Sequence, residues 1–393
     1  MAQDKDQKTL NVPPLRFTGF TDEWKRIKVS DLLDFYSTNS LSWEMLNYED
    51  GDFHNLHYGL IHSGLPTLID LKRNTLPFVN DTAKPKNYTL CKEGDIAFAD
   101  ASEDTNDVAK AIEFINLEGQ QVISGLHTIH GRDNGNKTVV GFKGYAFASS
   151  SFHYQIRRIA QGTKIYSISS KSFDEVFISI PNKAEQTKIA RLLHLIDERI
   201  ATQNKIIDNL QSLIKGLRES FFKGKYSSYI PLGEIAQLYQ PKTIATSELE
   251  ETGYLVYGAN GVIGRYHSYN HEQPQICITC RGNTCGQVTI TEPFSWITGN
   301  AMVVNIDTNK DIDQSYLFHF LSSYNFNPII TGSGQPQIVR SPLAKIHIPN
   351  VEINEQRKIS RVFDSVISKI DSEQNMLKQF HLQKNYLVNL MFI

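Results

Sequence analysis

The chain has 393 residues, of which 40% are hydrophobic and 21% charged, values that predict a folded protein of two or three domains and exclude a disordered or fibrous chain. The formal net charge is −2, so any binding of nucleic acid would depend on local clusters of basic residues. With no apolar run near the roughly 18 residues of a membrane span, no apolar N-terminal signal stretch and only four Cys, the composition predicts a cytoplasmic protein without a disulfide framework.

Short runs rich in β-branched residues alternate with Gly, Asn and Asp turns in two regions, 21–181 and 225–349, which follow an N-terminal tail at 1–20. Residues 311–324 have the pattern of a short helix. The sequence therefore predicts two mixed α/β globular domains. The predicted strands are Ile96–Ala99, Thr138–Val140, Gln275–Thr279, Gln287–Thr291 and Ala301–Ile306.

A long helix is predicted over residues 182–224, because apolar residues recur there with alternating steps of four and three. Asn182 precedes Glu185 by three residues and is a predicted N-cap with a capping box, and Gly224 is a predicted stop. Nine of the ten seam positions are apolar. These positions are Ile189, Leu193, Ile196, Ile200, Gln203, Ile207, Leu210, Ile214, Leu217 and Phe221.

A second long helix is predicted over residues 350–393, since 185–222 matches 355–392 without gaps at an offset of 170. Each helix would be about 55 Å long at ~1.5 Å per residue. An isolated helix would leave its seam in water, so each is the other's expected partner. The second seam is Ile359, Phe363, Val366, Ile370, Glu373, Leu377, Phe380, Lys384, Leu387 and Met391.

The repeat extends into the two globular regions, where matched segments occur in the same order with offsets that fall along the chain, apart from a two-residue difference beside the helix start. This order predicts two similar modules derived from one ancestral unit. The matched pairs are 29–36 with 232–239, 95–99 with 275–279, 124–125 with 298–299, and the Ile-Pro-Asn segments 180–182 with 348–350.

The order module, helix, module, helix, with Ile-Pro-Asn and then Glu-Gln at the start of each helix, resembles the specificity subunit of type I restriction–modification systems. The likeness covers nearly the whole chain and depends on the joint order of its motifs. The segments that carry it are 12–20 with 22–24, 93–96, 124–128, 281–284, 299–301, 332–338 and both helix starts.

The resemblance implies an α+β chain in which 21–181 and 225–349 are target recognition domains, each reading one half of a split site in double-stranded DNA. The helices would form an antiparallel coiled coil that fixes the gap between the half-sites and brings Gln203 near Glu373, where a polar pair would set the register.

Two methyltransferase (modification) subunits would dock on the helical region, and restriction (translocase) subunits would join through that assembly. The family's specificity subunit is not an enzyme and carries no cofactor, so S-adenosylmethionine, ATP and Mg²⁺ are expected on the partner subunits. No membrane is expected as a partner.

Candidate DNA contacts are basic and amide side chains in predicted turns, because Lys and Arg contact phosphates while Arg, Asn and Gln also make bidentate contacts with base edges. For any one of these residues the alternative is a solvated turn. The candidates are Lys72, Arg73, Arg132, Lys137 and Lys143 in the first module and Arg265, Arg281, Asn283, Gln335 and Arg340 in the second.

Other functions are disfavoured by missing motifs. Cys277, Cys280 and Cys285, with His267 and His271, match no common zinc-finger spacing, so no metal is expected. The chain has no phosphate-binding loop of the G-x-x-x-x-G-K-[ST] type and no complete dinucleotide or adenine-methyltransferase motif, which disfavours a stand-alone nuclease or methyltransferase. The remaining alternative is a coiled-coil adaptor whose globular domains bind proteins.

Overall fold

The computed structural model describes residues 10–83, 85, 88–224, 226–259, 261–332 and 334–393. The chain divides into two compact units. Unit 1 comprises the described residues up to Gln203 together with Met376–Ile393, and unit 2 comprises Asn204–Asn375. Among the described residues, no helix has the length and apolar character needed to span a bilayer.

The helices range from single turns to two rods of 40 and 39 residues. Short 3-10 helices occur at Trp43–Met45, Asp81–Ala83, Ser170–Glu175, Thr246–Glu248 and Asn327–Ile329. The α-helices of the described residues are α1 (Val29–Leu32), α2 (Tyr58–His62), α3 (Lys143–Phe147), α4 (Ser150–Ile159), α5 (Lys183–Phe222), α6 (Leu232–Ile235), α7 (Gln314–Ser323), α8 (Arg340–Ala344) and α9 (Ile353–Met391).

Unit 1 contains a five-stranded sheet in the order β2-β11-β7-β9-β5, a four-stranded sheet in the order β10-β4-β6-β3, and the pairs β1-β13 and β12-β8. Aromatic side chains from this sheet and from α3 and α4 form the core with Leu193 of α5. The strands are β1 (Lys25–Lys28), β2 (Asp34–Tyr36), β3 (Leu46–Asn47), β4 (His54–Leu56), β5 (Leu68–Asp70), β6 (Phe78–Val79), β7 (Ile96–Ala99), β8 (Ala101–Ser102), β9 (Ala111–Asn116), β10 (Val122–Ser124), β11 (Thr128–Arg132), β12 (Tyr166–Ser167) and β13 (Phe177–Ile180).

Unit 2 contains a four-stranded sheet in the order β15-β21-β18-β19, a three-stranded sheet in the order β17-β16-β20, and the pair β14-β22. Its strands are β14 (Tyr229–Pro231), β15 (Gln237–Tyr239), β16 (Tyr254–Gly258), β17 (Gly261–Tyr266), β18 (Ile276–Thr279), β19 (Val288–Ile290), β20 (Trp296–Ile297), β21 (Ala301–Asn305) and β22 (His347–Pro349).

The internal repeat is confirmed by strand order and register. The sequence β2-β11-β7-β9 in unit 1 corresponds to β15-β21-β18-β19 in unit 2, and each first strand follows a single helical turn, α1 or α6. Strand register places His130 opposite Tyr36 and Ala97, just as Val303 lies opposite Tyr239 and Cys277. Positions in the two units can therefore be compared residue by residue.

The alignment of the two Ile-Pro-Asn segments is wrong by two residues. Ile27 pairs with Ile178 in β1-β13, and its counterpart Ile230 pairs with Ile348 in β14-β22. This is an offset of 170, the same as between Lys183 and Ile353, where α5 and α9 begin. The tripeptide Ile-Pro-Asn occurs once in each module, but at positions that differ by two residues in strand register, and this chance match produced the misalignment.

The predicted N-cap at Asn182 is confirmed, because its side-chain oxygen accepts a hydrogen bond from the Glu185 N–H at 3.0 Å. The Glu185 carboxylate pairs with Arg16 through two hydrogen bonds of 2.6 and 2.8 Å. Part of the predicted N-terminal tail is therefore bound to unit 1, while residues 1–9 lie outside the described part of the chain.

One predicted strand, Thr138–Val140, is wrong. The Asp133 carboxylate accepts hydrogen bonds of 2.7 Å from both the backbone N–H and the hydroxyl of Thr138, which closes a turn. The three consecutive β-branched residues 138–140 favour a strand, but so short a run does not outweigh the turn that the Asp133 hydrogen bonds stabilise. The other predicted strands and the short helix form within three residues of their predicted ends.

In each unit, the start of one long helix packs antiparallel to the end of the other. In unit 1, Lys384 Nζ lies 2.7 Å from Asp197 Oδ1, and Val388 joins the core that contains Leu193. In unit 2, the Phe222 and Phe363 rings stack with centroids 5.7 Å apart. All twenty seam positions are buried or half-buried, as a helix seam requires, and their pairing along the whole length stays a prediction.

The central polar residues of the two seams, Gln203 and Glu373, are each 5% exposed. They belong to different units, and their mutual proximity stays a prediction.

The Gln of each Glu-Gln pair fastens a long helix to its module. Gln356 Nε2 donates to the carbonyls of Val351 (2.7 Å) and Asp311 (3.0 Å), and its Oε1 accepts from the Asp313 N–H at 3.0 Å. Gln186 makes the corresponding three bonds in unit 1, with Pro181, Lys137 and Val139. In each unit the Gln side-chain amide therefore forms hydrogen bonds with two backbone carbonyls and one backbone N–H. A Leu side chain at the same position would leave these three groups without those bonds.

Gln356→Leu is therefore expected to lower the free energy of unfolding by about 2 kcal/mol, because it leaves partly buried backbone groups without hydrogen bonds. Gln374→Leu, on an exposed position of the same helix, is the matched control and is expected to change stability by less than about 0.5 kcal/mol. Urea unfolding followed by circular dichroism measures both. Equal stability of the two variants would contradict the fastening role.

Candidate nucleic-acid interface

Arg132, the last residue of β11, is held by its own unit. Its Nε and Nη2 donate to the two Asp95 carboxylate oxygens at 2.7 and 2.6 Å, Nη2 also donates to the Leu90 carbonyl at 2.8 Å, and the guanidinium covers the Tyr36 ring at 4.7 Å. Asp95 is 1% exposed and also contacts His130 Nε2 at 2.7 Å. Burial alone would raise the pKa of Asp95, but the hydrogen bonds from Arg132 and His130 hold that pKa below its ordinary value.

The repeat explains this arrangement. By register, Asp95 and Arg132 correspond to Gln275 and Asn305 of unit 2, where Asn305 Nδ2 donates to Gln275 Oε1 at 3.0 Å. A polar pair thus joins the same two strands in both units. The position of Arg132 is structural, and this residue is a poor reader of base edges.

Lys143 is a correction to the predicted DNA contacts. Its side chain is 2% exposed, and its Nζ lies 3.0 Å from both Glu113 Oε1 and the Thr138 hydroxyl. An ammonium group buried against a carboxylate cannot reach a phosphate while α3 stays folded. The sequence signal was misleading because the partner, Glu113, lies 30 residues earlier on β9.

The other basic candidates of unit 1 lie at its surface. Arg73 is half-exposed and its Nη2 lies 2.8 Å from Glu198 of α5, and Lys137 Nζ donates to the Asp31 carbonyl at 2.6 Å. Lys72 is exposed in the turn after β5. Lys72 and Lys137 thus remain available to phosphates, while Arg73 would first have to leave its carboxylate.

In unit 2 the structure brings several candidates together. Arg281 and Arg340 line one cavity of about 360 Å³ with Tyr239, Gln240 and Gln337. Both arginines are exposed, and neither forms an ion pair with another described residue. This cavity combines guanidinium and amide groups, the two side-chain types that make bidentate contacts with guanine and adenine.

Two further candidates flank that cavity. The Gly282 N–H donates to the Pro336 carbonyl at 2.9 Å, so the turn that carries Asn283 is joined to the loop that carries Gln335. Both side chains are exposed, while Ser333 of the same loop lies outside the described residues. Arg265, on β17, donates to the Gly253 carbonyl at 2.7 Å and does not line this cavity.

The corresponding edge of unit 1 was missed by sequence reasoning. Ala101 is the counterpart of Arg281, and a cavity of about 460 Å³ at this edge is lined by Ala101, Tyr58, His62 and His127. The His127 ring lies 5.1 Å from the Tyr58 ring, and its Nδ1 is 3.2 Å from Asp100. The available signal was the repeat itself, since His127 follows the matched Ser124-Gly125 pair. The two units thus place different chemistry at the same edge.

The possible metal ligands are dispersed among other partners. His271 Nε2 contacts the Tyr239 hydroxyl at 2.7 Å, and His267 Nδ1 contacts Glu250 at 2.7 Å. Within the described ranges, the one group with converging ligand atoms is Cys91, Asp95 and His130. There burial raises the pKa of Cys91, and Arg132 already neutralises Asp95, so this set does not fit a metal ion.

The family profile and the relatives that match this chain all belong to type I restriction specificity proteins. The sequence profile described as "Type I restriction modification DNA specificity domain" matches residues 21–212 and 227–380. The type I restriction enzyme MjaVIII specificity subunit of Methanocaldococcus jannaschii is 23% identical over 279 residues, which cover 59% of this chain and 64% of that protein. The type I restriction enzyme EcoprrI specificity subunit of Escherichia coli is 27% identical over 155 residues, which cover 38% of this chain and 37% of that protein.

Two solved structures share the fold. The S subunit of a type I restriction–modification system from M. genitalium aligns with a TM-score of 0.62 at 17% identity, covering 97% of this chain and 99% of that one. A chain from a study of complex assembly and conformational transition in the type I system aligns with a TM-score of 0.57 at 12% identity, covering 93% and 96%.

Proposed function

Since the chain belongs to the type I restriction–modification DNA specificity family, we propose that it is the subunit that selects the DNA sequence in such a system. Residues 21–181 and 225–349 act as target recognition domains, each for one half of a split site in double-stranded DNA. The observation that carries the proposal is one fold present twice with different side chains at the same edge.

The chemistry of the two edges supports two different half-sites. In unit 2, Arg281 and Gln337 present the donors and acceptors that suit guanine and adenine. In unit 1, Tyr58 and His127 present aromatic faces, and the neighbouring Asp104 accepts hydrogen bonds from cytosine or adenine amino groups. A site read by both would not be palindromic.

The paired helices set the gap between half-sites, and two methyltransferase subunits dock on them, with restriction subunits joining through this complex. S-adenosylmethionine, ATP and Mg²⁺ belong to those partners, and this chain contributes recognition without catalysis, in the cytoplasm. Its overall charge of −2 supports a division in which partners supply much of the positive field around the DNA.

The test is co-expression with the modification subunit of the same system, followed by mapping of methylated adenines. One bipartite motif is expected. Arg281→Ala is expected to weaken binding by about 10- to 100-fold and to relax one base of one half-site, since a bidentate contact discriminates by about 1–3 kcal/mol.

Lys345→Ala, an exposed lysine of the same unit, is the control and is expected to keep motif and affinity. Methylation without sequence preference would favour a coiled-coil adaptor, and an Arg281→Ala complex that keeps the full motif would remove Arg281 from the reading surface.

A further inference from the structure

Unit 1 contains a large basic cleft that none of the candidate DNA contacts lines. Cleft 1, of about 1030 Å³, lies between the end of α9, α4 and the β1-β13 pair. Arg26 stacks over Phe177 at 4.3 Å, Arg157 contacts Asn106 at 3.2 Å and Arg158 lies 5.8 Å from the Tyr154 ring. None of these arginines forms an ion pair with another residue that the structure describes.

Unit 2 contains a second cleft of similar character. Cleft 2, of about 520 Å³, lies between the end of α5, α7 and the β14-β22 pair, and Lys215, Arg218 and Tyr229 line it. Arg218 Nε and the Ser322 hydroxyl are buried without a hydrogen-bond partner among the described residues. A polar group buried in this way is destabilising unless ordered water or a ligand supplies the missing hydrogen bond.

The two clefts occupy the same place in the repeat. Strand register makes Arg26 the counterpart of Tyr229 and Phe177 the counterpart of His347, and the helix offset makes Phe392 the counterpart of Phe222. The short helices α4 and α7 are each ten residues long and begin after side-chain caps, Ser149 and Asp313. Each module therefore forms one such cleft with the end of a long helix.

The positive charge of the clefts comes from different positions. Cleft 1 takes its cations from β1 and α4, whereas cleft 2 takes them from α5. Among the described residues, Glu175 is the one acidic residue that lines cleft 1, and Glu219 in cleft 2 is already paired with Lys223 at 3.0 Å. The two clefts therefore share a positive charge without sharing the residues that carry it.

A protein segment fits these clefts better than the phosphates of a duplex. Both clefts have an aromatic and aliphatic floor, Phe177 and Phe392 in one and Phe222 and Phe320 in the other. Arginines beside aromatic side chains are typical of protein interfaces. The buried Arg218 Nε has room for an acceptor that enters the cleft, and the carboxylate of an extended acidic side chain supplies one.

We propose that the two clefts bind the same acidic segment of a partner protein, once in each module. Carboxylates of the segment pair with Arg157 and Arg158 in cleft 1 and with Lys215 and Arg218 in cleft 2, and an apolar side chain of the segment covers the phenylalanine floor. The inference rests on the proposed function, in which the partner present in two copies is the modification subunit.

The test counts partner copies by native mass spectrometry of the co-expressed complex. The variants are Arg157→Glu with Arg158→Glu for cleft 1, and Lys215→Glu with Arg218→Glu for cleft 2. Each pair is expected to leave one bound copy of the modification subunit instead of two, and the fourfold variant is expected to leave none. Matched charge reversals on exposed positions outside the long helices, Lys171→Glu and Lys242→Glu, are expected to keep both copies.

Circular dichroism identifies a variant that fails to fold. In that case the single substitutions Arg158→Gln and Lys215→Glu replace the double ones. Each is expected to weaken binding of one copy of the modification subunit by at least tenfold. Two copies retained on all folded variants would overturn the proposal. Retained copies with DNA affinity reduced more than tenfold would also overturn it and assign the clefts to phosphates. Failure of the proposed function is separate, since the unaltered complex would then lack sequence-specific methylation.

Discussion

Replacement of Arg132 by Met is expected to lower the free energy of unfolding by about 3 kcal/mol, one of the larger effects of a single substitution in this chain. The reason is the partner left behind. Asp95 is 1% exposed and both of its oxygens accept hydrogen bonds from Arg132, so removal of the guanidinium leaves a buried carboxylate whose remaining hydrogen-bond partners are His130 Nε2 and the Lys92 N–H. Removing one partner of a buried pair costs about 3–5 kcal/mol.

Arg73→Met is the matched control for Arg132→Met. Arg73 is half-exposed in its ion pair with Glu198, and exposed pairs contribute about 0–1 kcal/mol. Urea unfolding of both variants separates the two roles. If Arg132→Met were as stable as Arg73→Met and instead lost DNA binding, Arg132 would be a DNA contact after all.

The same pair has a defined pH dependence. The pKa of Asp95 is held below its ordinary value in the folded protein, so its contribution is present above about pH 4, where the carboxyl is ionised in both folded and unfolded chains. The contribution is lost as the pH falls through the lowered folded pKa. Arg132→Met is therefore expected to lose less stability on acidification than the unaltered chain.

The architecture could be predicted from the sequence alone, because helical seams and internal repeats produce periodic patterns of residues. The seam from Ile189 to Phe221 and its copy from Ile359 to Met391 follow directly from spacing, and the structure buries or half-buries these positions. The module repeat was also accessible, although the Ile-Pro-Asn match misled by two residues until strand register corrected it.

Which polar residues are structural was not accessible in the same way. Arg132 and Lys143 appeared to be surface cations, yet their partners lie 37 and 30 residues away, Asp95 just before β7 and Glu113 on β9. Conversely, His127 carried no distinguishing motif and gains interest only because the fold places it beside Tyr58 at the edge that corresponds to Arg281. The role of a polar side chain depends on partners that are distant in the sequence, and a periodic pattern does not predict those partners.

The largest functional effect is expected from lengthening the helices. Seven residues inserted after Asn204 of α5 and seven after Gln374 of α9 add one heptad to each rod and preserve both seams. The insertion adds about 10.5 Å to the paired helices at ~1.5 Å per residue. At ~3.4 Å per base pair, this corresponds to about three additional base pairs between the half-sites.

A control insertion of seven residues at Gly119, an exposed turn in unit 1, changes chain length without changing either helix. That variant is expected to keep the original motif. An insertion in α5 alone leaves the two rods unequal, so we expect it to lose assembly with the modification subunit.

The decisive measurement is the methylated motif of cells that express the doubly lengthened chain with its modification subunit. We predict that both half-sites keep their bases while the unspecified gap between them grows by about three base pairs. A methylated motif whose gap is unchanged would contradict the claim that two paired helices set the distance between two separate readers.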